Sequence, residues 1–238
     1  MYKIVILFAL LLSSLFAESG FIRPYKTKLI STQQKIGLAD VDKSVKKGAS
    51  GIVIRYFDDT HYAIIAKAIV KAIKGSRATL RFEKFDLLHQ EALPDYNIKP
   101  QKGDTVILNY LYNRALAITP DKTSYQEITK RYPDIDWVHP DLFAMRLSTE
   151  FNAKPTIEDF QHTCRQNDFE LLFFAIDGRG YFTDCNSFEI LQEVAIKTSP
   201  KATLPFFSRL GTIKGRLGSL IGGGVKNYNT YYKKILGL

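Results

Sequence analysis

Hydrophobic and polar residues alternate along much of the first half of the chain. In the run "ATLRFEKF", Leu80 and Phe82 fall on one side of an extended chain and Arg81 on the other, a period typical of a half-buried β-strand. Similar runs lie between Arg23 and Pro120, with turn signals between several of them, and read "TKLISTQQKI", "GIVIRYF", "HYAIIAKAIV", "DTVILNYL" and "RALAI". The alanines of "YAIIAKAIV" would suit a helix, but its β-branched residues and flanking turns favour a strand. These short strands predict a small antiparallel barrel over residues 18–120.

The spacing of hydrophobic residues changes to that of helices in the second half of the chain. In "TSYQEITKRYP", Ser124 and Glu127 have the spacing of a capping box, and Pro133 ends the helix. A second helix is predicted in "HPDLFAMRLSTEF", where Pro140 fits the first turn. The apolar face of a third helix, in "KPTIEDFQHTCRQN", comprises Ile157, Phe160 and Cys164.

Further β-rich runs in the second half are short. They are "LLFFAI", then "YFTDC" after a "DGRG" turn, then "SFEILQEVAI", in which apolar and acidic residues alternate. These runs predict a small antiparallel sheet against which the helices of residues 121–238 pack. The predicted fold class is therefore α+β, with an N-terminal small antiparallel β-barrel-like part followed by helices packed on a small antiparallel sheet.

The N-terminus has the order of a secretory signal peptide. Lys3 precedes an apolar run from Ile4 to Leu12, and small residues follow up to Ala17. We predict a leader over residues 1–17, with an uncleaved N-terminal anchor as the alternative. The apolar run is shorter than the roughly 20 residues that a spanning helix needs, and no later segment is long and apolar enough. After removal of the leader we expect no transmembrane span.

The positive net charge of the chain favours some kinds of binding partner over others. The whole chain has a formal charge of +9, and loss of the leader, which carries one lysine and no acid, lowers the charge to +8. In an exported protein this charge favours a membrane surface, a polysaccharide or an acidic protein, and it makes nucleic acid a poor candidate. A basic surface that serves only solubility is the alternative.

The chain has two cysteines, Cys164 and Cys185. Export together with an even cysteine count predicts a disulfide between them. Two thiols are too few for a structural zinc site, which takes four ligands.

Enzyme signatures are missing from the sequence. There is no G-x-S-x-G or H-E-x-x-H motif, and the glycine-rich segment that ends at Gly224 lacks the Gly-Lys-Ser/Thr ending of a phosphate loop. We therefore expect a non-enzymatic protein with no cofactor and no metal.

The segment "TLPFFSRLGTIKGRLGSLIGGGVKNYNTYYKKILGL" closes the chain and is rich in aromatic residues. The tyrosines of "NYNTYYKK" have helical spacing, and two lysines fall in the last turn, where positive charge suits the helix dipole. With a bend at the triple glycine, the segment is predicted to form a clasp that joins the two halves of the protein. The candidate partner-binding residues are Phe206, Phe207, Arg209, Lys226, Tyr228, Tyr231, Tyr232, Lys233 and Lys234.

Three stretches resemble the N-terminal domain of the plasminogen-binding protein family. They are "QKGDTVILNYLYNRALAITPDKTSYQEI", "CNSFEIL" and "TLPFFSRLGTIKGRLGSLIGGGVKNYNTYY". The resemblance implies an exported protein of a spiral, flagellated Gram-negative bacterium, in the periplasm or at the cell surface. It also implies a protein partner, plasminogen.

Plasminogen kringles typically bind a C-terminal lysine through both its ammonium group and its carboxylate. Here Lys233 and Lys234 lie near Leu238 but are not terminal, so weak plasminogen binding through these or internal lysines is expected. The alternative is a periplasmic structural scaffold in an envelope machine such as the flagellar motor.

Overall fold

A computed structural model describes residues 22–85, 98–198, 202–213, 215 and 225–238, and it shows a barrel followed by a helix-covered sheet. The barrel strands are β1 (Tyr25–Gln33), β2 (Ile36–Asp40), β3 (Ser50–Tyr56), β4 (Tyr62–Lys74), β5 (Arg77–Glu83) and β6 (Thr105–Leu108). The sheet strands are β7 (Arg114–Ile118), β8 (Asp136–Val138), β9 (Leu171–Ile176), β10 (Arg179–Asp184) and β11 (Ile190–Ala195). The helices are α1 (Lys122–Arg131), α2 (Asp141–Thr149), α3 (Ile157–Gln166) and α4 (Tyr228–Leu236). The predicted leader and the triple glycine lie outside the described residues.

The first six strands form a closed barrel in the order β1-β2-β5-β4-β3-β6, and β6 pairs with β1 to close it. Every neighbouring pair is antiparallel. Leu80 and Phe82 of β5 are buried while Arg81 is exposed, as the alternation predicted. The ambiguous run "YAIIAKAIV" lies within β4. The predicted antiparallel barrel is therefore confirmed.

The second sheet is mixed: β9, β10 and β11 pair antiparallel as predicted, and β7 adds parallel pairs that the sequence did not predict. Its order is β11-β10-β9-β7-β8, and β7 pairs in parallel with both β8 and β9. The run "RALAI", which was grouped with the barrel strands, is β7 and lies inside this sheet. A short apolar run indicates a buried strand but does not indicate which strands pair with that strand. The pattern of "RALAI" therefore could not assign this run to the barrel or to the second sheet. The α+β class itself is confirmed.

The helix ends follow from local capping. The carboxylate of Asp121 accepts hydrogen bonds from the backbone N–H of Ser124 at 2.9 Å and from its hydroxyl at 2.7 Å, so Asp121 and not Ser124 is the N-cap of α1. α1 ends before Pro133, as predicted. At the start of α3, Thr156 and Asp159 form a reciprocal capping box.

Both faces of the second sheet are covered. One face continues the barrel core and packs against α1, and its buried residues include Ala115, Ala117, Phe173 and Phe182. The other face packs against α2, α3 and α4, and its buried residues include Leu116, Ile118, Leu172 and Phe174. Among the helices described, none has the length and apolar character needed to cross a membrane.

A buried carboxylate at the end of β10 connects the sheet to the barrel. Asp184 accepts hydrogen bonds from the Ser50 hydroxyl at 2.5 Å, the Tyr112 hydroxyl at 2.6 Å and the Ser187 N–H at 2.6 Å. Ser187 also donates to the carbonyl of Gly48, a residue with φ of +87° that has no room for a Cβ. Burial raises the pKa of Asp184, and these hydrogen bonds oppose that shift.

The predicted disulfide between Cys164 and Cys185 is present. It joins α3 to the residue that follows β10, with the two Cα atoms 6.6 Å apart. Because Cys185 is next to Asp184, the disulfide anchors the same turn that contacts the barrel.

We expect Tyr112→Phe to lower the free energy of unfolding by about 1–3 kcal/mol, because it removes one donor from a buried carboxylate. Urea titration followed by circular dichroism measures the loss. The matched control is Tyr56→Phe on the exposed part of the barrel, which should change stability little. Equal stability of both variants would contradict the proposed importance of the Asp184 contacts.

Replacing both Cys164 and Cys185 by alanine should lower the free energy of unfolding by roughly 3 kcal/mol, since the disulfide closes a loop of about 20 residues. Urea midpoints of the oxidised wild type, the reduced wild type and the double variant test this. The two forms that lack the disulfide should unfold at similar urea concentrations, and mass mapping of the oxidised protein should find no free thiol.

Candidate partner-binding surface

The Phe-Phe pair of the closing segment packs into the second half of the protein. Phe206 is buried, and its ring stacks on that of Phe143 in α2 with the centroids 5.4 Å apart. The backbone N–H of Phe207 donates to the Thr119 carbonyl at 2.6 Å, and its half-buried ring lies 5.7 Å from that of Tyr125. Phe206 is therefore a core residue, and only Phe207 presents part of its ring to solvent.

Arg209 fixes the same segment to the first turn of α2. Its backbone N–H and its Nε donate to the Asp141 carboxylate at 2.8 and 2.5 Å. Burial alone would raise the pKa of Asp141, but the hydrogen bonds from Arg209 and the proximity of His139 hold that pKa below its ordinary value. The guanidinium is otherwise open to solvent, so Arg209 can hold the fold and still face a partner.

Tyr232 is the buried residue of the C-terminal tyrosine group. Its ring lies 5.6 Å from Phe174 and 6.4 Å from Phe160, between the sheet and α3. Its hydroxyl donates to the Pro205 carbonyl at 3.0 Å, which satisfies the polar group inside the core. Burial raises the pKa of this hydroxyl well above its ordinary value.

Tyr228 and Tyr231 are half-buried on the same helix. The Tyr228 hydroxyl donates to the Ala153 carbonyl, and the Tyr231 hydroxyl donates to the Pro155 carbonyl at 2.9 Å. Both carbonyls belong to the loop between α2 and α3. Burial raises the pKa of Tyr228 to about 12.

The contacts of α4 show which part of the protein this helix covers. The buried residues of this helix belong to the core between the sheet, α2 and α3, on the face opposite the barrel. Its tyrosine hydroxyls reach carbonyls of that same half. Within the described residues, α4 packs on the second half, because its face that carries Tyr232 covers the sheet face turned away from the barrel.

The three candidate lysines differ in their surroundings. Lys233 forms an ion pair with Asp177 at 2.6 Å. Lys234 is exposed in the last turn of α4, which ends at Gly237 in the left-handed conformation. Lys226 is exposed just before α4, at the edge of a cavity. Of these three lysines, Lys226 and Lys234 are thus the more accessible.

The cavity at the start of α4 has a volume of about 230 Å³. It is bounded by the end of β7, by Ala175 of β9 and by residues 202–205 and 226–229. Three of the candidate residues line it, namely Lys226, Tyr228 and Tyr232. The sequence singled out these three but gave no sign that the end of β7 would meet them, because that contact depends on the parallel pairing of β7.

Sequence reasoning did not single out an exposed aromatic group at the tip of the β3–β4 hairpin. Tyr56, Phe57 and Tyr62 are each about half exposed or more, and the rings of Tyr56 and Tyr62 lie 5.5 Å apart across the hairpin. Lys26 places its Nζ 5.9 Å from the centroid of the Tyr56 ring. The sequence signal for this group was the presence of Tyr56 and Phe57 before the "DDT" turn and of Tyr62 shortly after it.

Comparison with known proteins assigns this arrangement to a family. A family model described as "Plasminogen-binding protein pgbA N-terminal" matches residues 24–236. The chain belongs to this family. Two curated relatives from Helicobacter pylori are both named "Plasminogen-binding protein PgbA". The one from strain J99 is 29% identical over 197 residues, which cover 81% of this chain and 43% of the relative.

The relative from strain 26695 is 29% identical over 194 residues, which cover 79% of this chain and 42% of the relative. The chain therefore spans less than half the length of these relatives. No solved structure matches it. The PgbA N-terminal match includes the barrel, the sheet and α4, so the resemblance read from the sequence is confirmed across all three.

Asp141→Asn should make the free energy of unfolding depend less on pH at acidic pH. The pKa of Asp141 is lowered by folding, so its carboxylate stabilises the protein above the ordinary carboxyl pKa of about 4 and loses this effect as the pH falls through the lowered value. The wild type should lose about 1 kcal/mol more than the variant between about pH 6 and pH 2.5.

The measurement is urea unfolding at a series of pH values, and Asp134→Asn in an exposed loop is the matched control. The control should follow the wild-type curve. Parallel curves for the wild type and Asp141→Asn would show that the Asp141–Arg209 contact does not stabilise the fold.

Proposed function

We propose that this protein is an exported, non-enzymatic binding domain whose partner is plasminogen. The observation that supports this proposal most is the family match over residues 24–236. The two curated relatives are named as plasminogen-binding proteins, and a binding name favours a non-enzymatic role. Because the chain spans less than half of each relative, plasminogen binding by this part is itself part of the proposal.

The contacts of the closing segment restrict how this binding would occur. Phe206 and Tyr232 are buried, so these two side chains serve the fold, whereas Lys233 is partly exposed beside its ion-pair partner Asp177. Lys234 presents its ammonium to solvent at the end of α4, where a lysine-binding partner can reach it. We propose Lys234, with Lys233 beside it, as the main contact.

Surface plasmon resonance on immobilised plasminogen tests the proposal with the full mature chain. We expect weak binding that 6-aminohexanoate displaces, since this compound carries the ammonium and carboxylate of a terminal lysine. Lys233→Ala/Lys234→Ala should weaken the interaction about tenfold or more, as expected when charge-assisted hydrogen bonds are lost. The matched control is Lys71→Ala/Lys74→Ala on the barrel, which should bind as the wild type does.

Two results would overturn this part of the proposal. One is binding that 6-aminohexanoate does not displace. The other is unchanged affinity in the Lys233→Ala/Lys234→Ala variant.

We also propose that the protein lies in the periplasm or at the cell surface. The motive is the signal-peptide pattern of residues 1–17. Protease treatment of intact cells, followed by fractionation, separates the two locations. Digestion of the protein in intact cells supports plasminogen capture, whereas protection until the outer membrane is opened would favour the scaffold prediction.

The comparisons name no flagellar or other envelope-machine partner, so the scaffold stays a sequence-based prediction.

A further inference from the structure

The cavity beside α4 combines apolar walls with a cationic edge. Its walls are formed by the rings of Tyr228 and Tyr232 and by apolar residues of the sheet and the preceding loop, namely Ile118, Pro120, Ala175, Leu204 and Pro205. Lys226, Asn227 and Asn229 also line the cavity, and the side chains of the two asparagines are hydrogen-bonded to the Thr230 N–H and to Asp177, respectively. Ligand sites in proteins combine apolar walls with a few placed polar groups, and this lining contains residues of both kinds.

We propose that this cavity binds a ligand with one apolar group, such as a phenyl ring, that carries a carboxylate. Its volume of about 230 Å³ exceeds that of a cavity of about 150 Å³ that is known to bind benzene. It is smaller than the roughly 300–1,000 Å³ of sites for drug-sized molecules. The size therefore fits a single ring or branched aliphatic group with a short polar extension.

The charges around the cavity favour an anion over a cation. Among the lining residues that the structure describes, Lys226 is the cation, and the first turn of α4 adds the positive end of the helix dipole. The acid close by is Asp177, which accepts a hydrogen bond from Asn229 and forms the ion pair with Lys233. With Asp177 paired in this way, Lys226 is the described lining residue whose positive charge can meet an anionic ligand.

Two sources could supply such a carboxylate. One is a free aromatic or branched-chain acid, and the other is an apolar residue at the C-terminus of a protein. Both present an apolar group joined to a carboxylate, so they share the chemistry that the cavity recognises. The proposal does not depend on plasminogen binding, because lysine capture by Lys234 needs no cavity.

The test is a titration of the isotope-labelled mature chain followed by ¹⁵N–¹H spectra. The probes are 3-phenylpropionate and acetyl-Gly-Gly-Phe, each compared with its uncharged amide. We expect the acids to shift the amide signals of Thr119, Ala175, Thr203 and Asn229, with about tenfold weaker binding of the amides. Tighter binding of the peptide acid assigns the site to protein C-termini, and tighter binding of 3-phenylpropionate assigns it to free acids.

Three variants check that the shifts arise in the cavity. Lys226→Gln should weaken binding of the acids to the level of the amides, and Ala202→Trp, at an exposed position of the lining, should block all probes. Lys234→Gln is the matched control and should bind as the wild type does.

Unchanged spectra at these four residues with every probe would overturn the proposal. Equal affinity for acids and amides, or for the wild type and Lys226→Gln, would also overturn it. Because none of these measurements uses plasminogen, a negative result here leaves the lysine-capture proposal unaffected.

Discussion

The buried carboxylate of Asp184 is the interaction on which the arrangement of the two halves depends. A carboxylate is costly to remove from water unless donors surround it, and here Ser50 and Tyr112 supply donors from the barrel and its link to the sheet. Ser187 supplies another from the turn that follows β10. The three donors can meet Asp184 only when the barrel and the sheet sit in one relative position. The disulfide at Cys185 then holds the turn that carries this acid.

Local patterns predicted the parts of the fold that depend on local chemistry. The barrel strands follow from alternation and turn signals, and α4 follows from the spacing of its tyrosines. The disulfide between Cys164 and Cys185 was predicted from the cysteine count and the leader-like pattern of residues 1–17. Each of these features needs only residues that are close in sequence or chemically distinctive.

Features that depend on pairing between distant segments could not be predicted. The run of β7 is apolar and short, and its parallel neighbours β8 and β9 lie about 20 and 55 residues further along the chain. The cavity beside α4 depends on this pairing, since the end of β7 forms one wall. The predicted N-cap of α1 was wrong by three residues. Asp121 and Ser124 are both residue types that cap helices well, and the backbone geometry decides between them.

The closing segment has separate structural and exposed residues. Phe206 and Tyr232 fill the core, while Arg209 holds the segment on α2. Lys226 and Lys234 lie at the surface. A substitution at one of the aromatic residues would therefore reduce binding through loss of folded protein, and only changes at the exposed lysines report on recognition itself.

The link between the barrel and the sheet is short, since β6 ends at Leu108 and β7 begins at Arg114. Within it, the Asn109 N–H donates to the Ser50 carbonyl, and Tyr112 is buried against Asp184. Because the link is short and these contacts hold it, a hinge motion at this point would have to break them. Any force that pulls on β6 is therefore passed through this link to β7, which lies between β8 and β9 inside the second sheet.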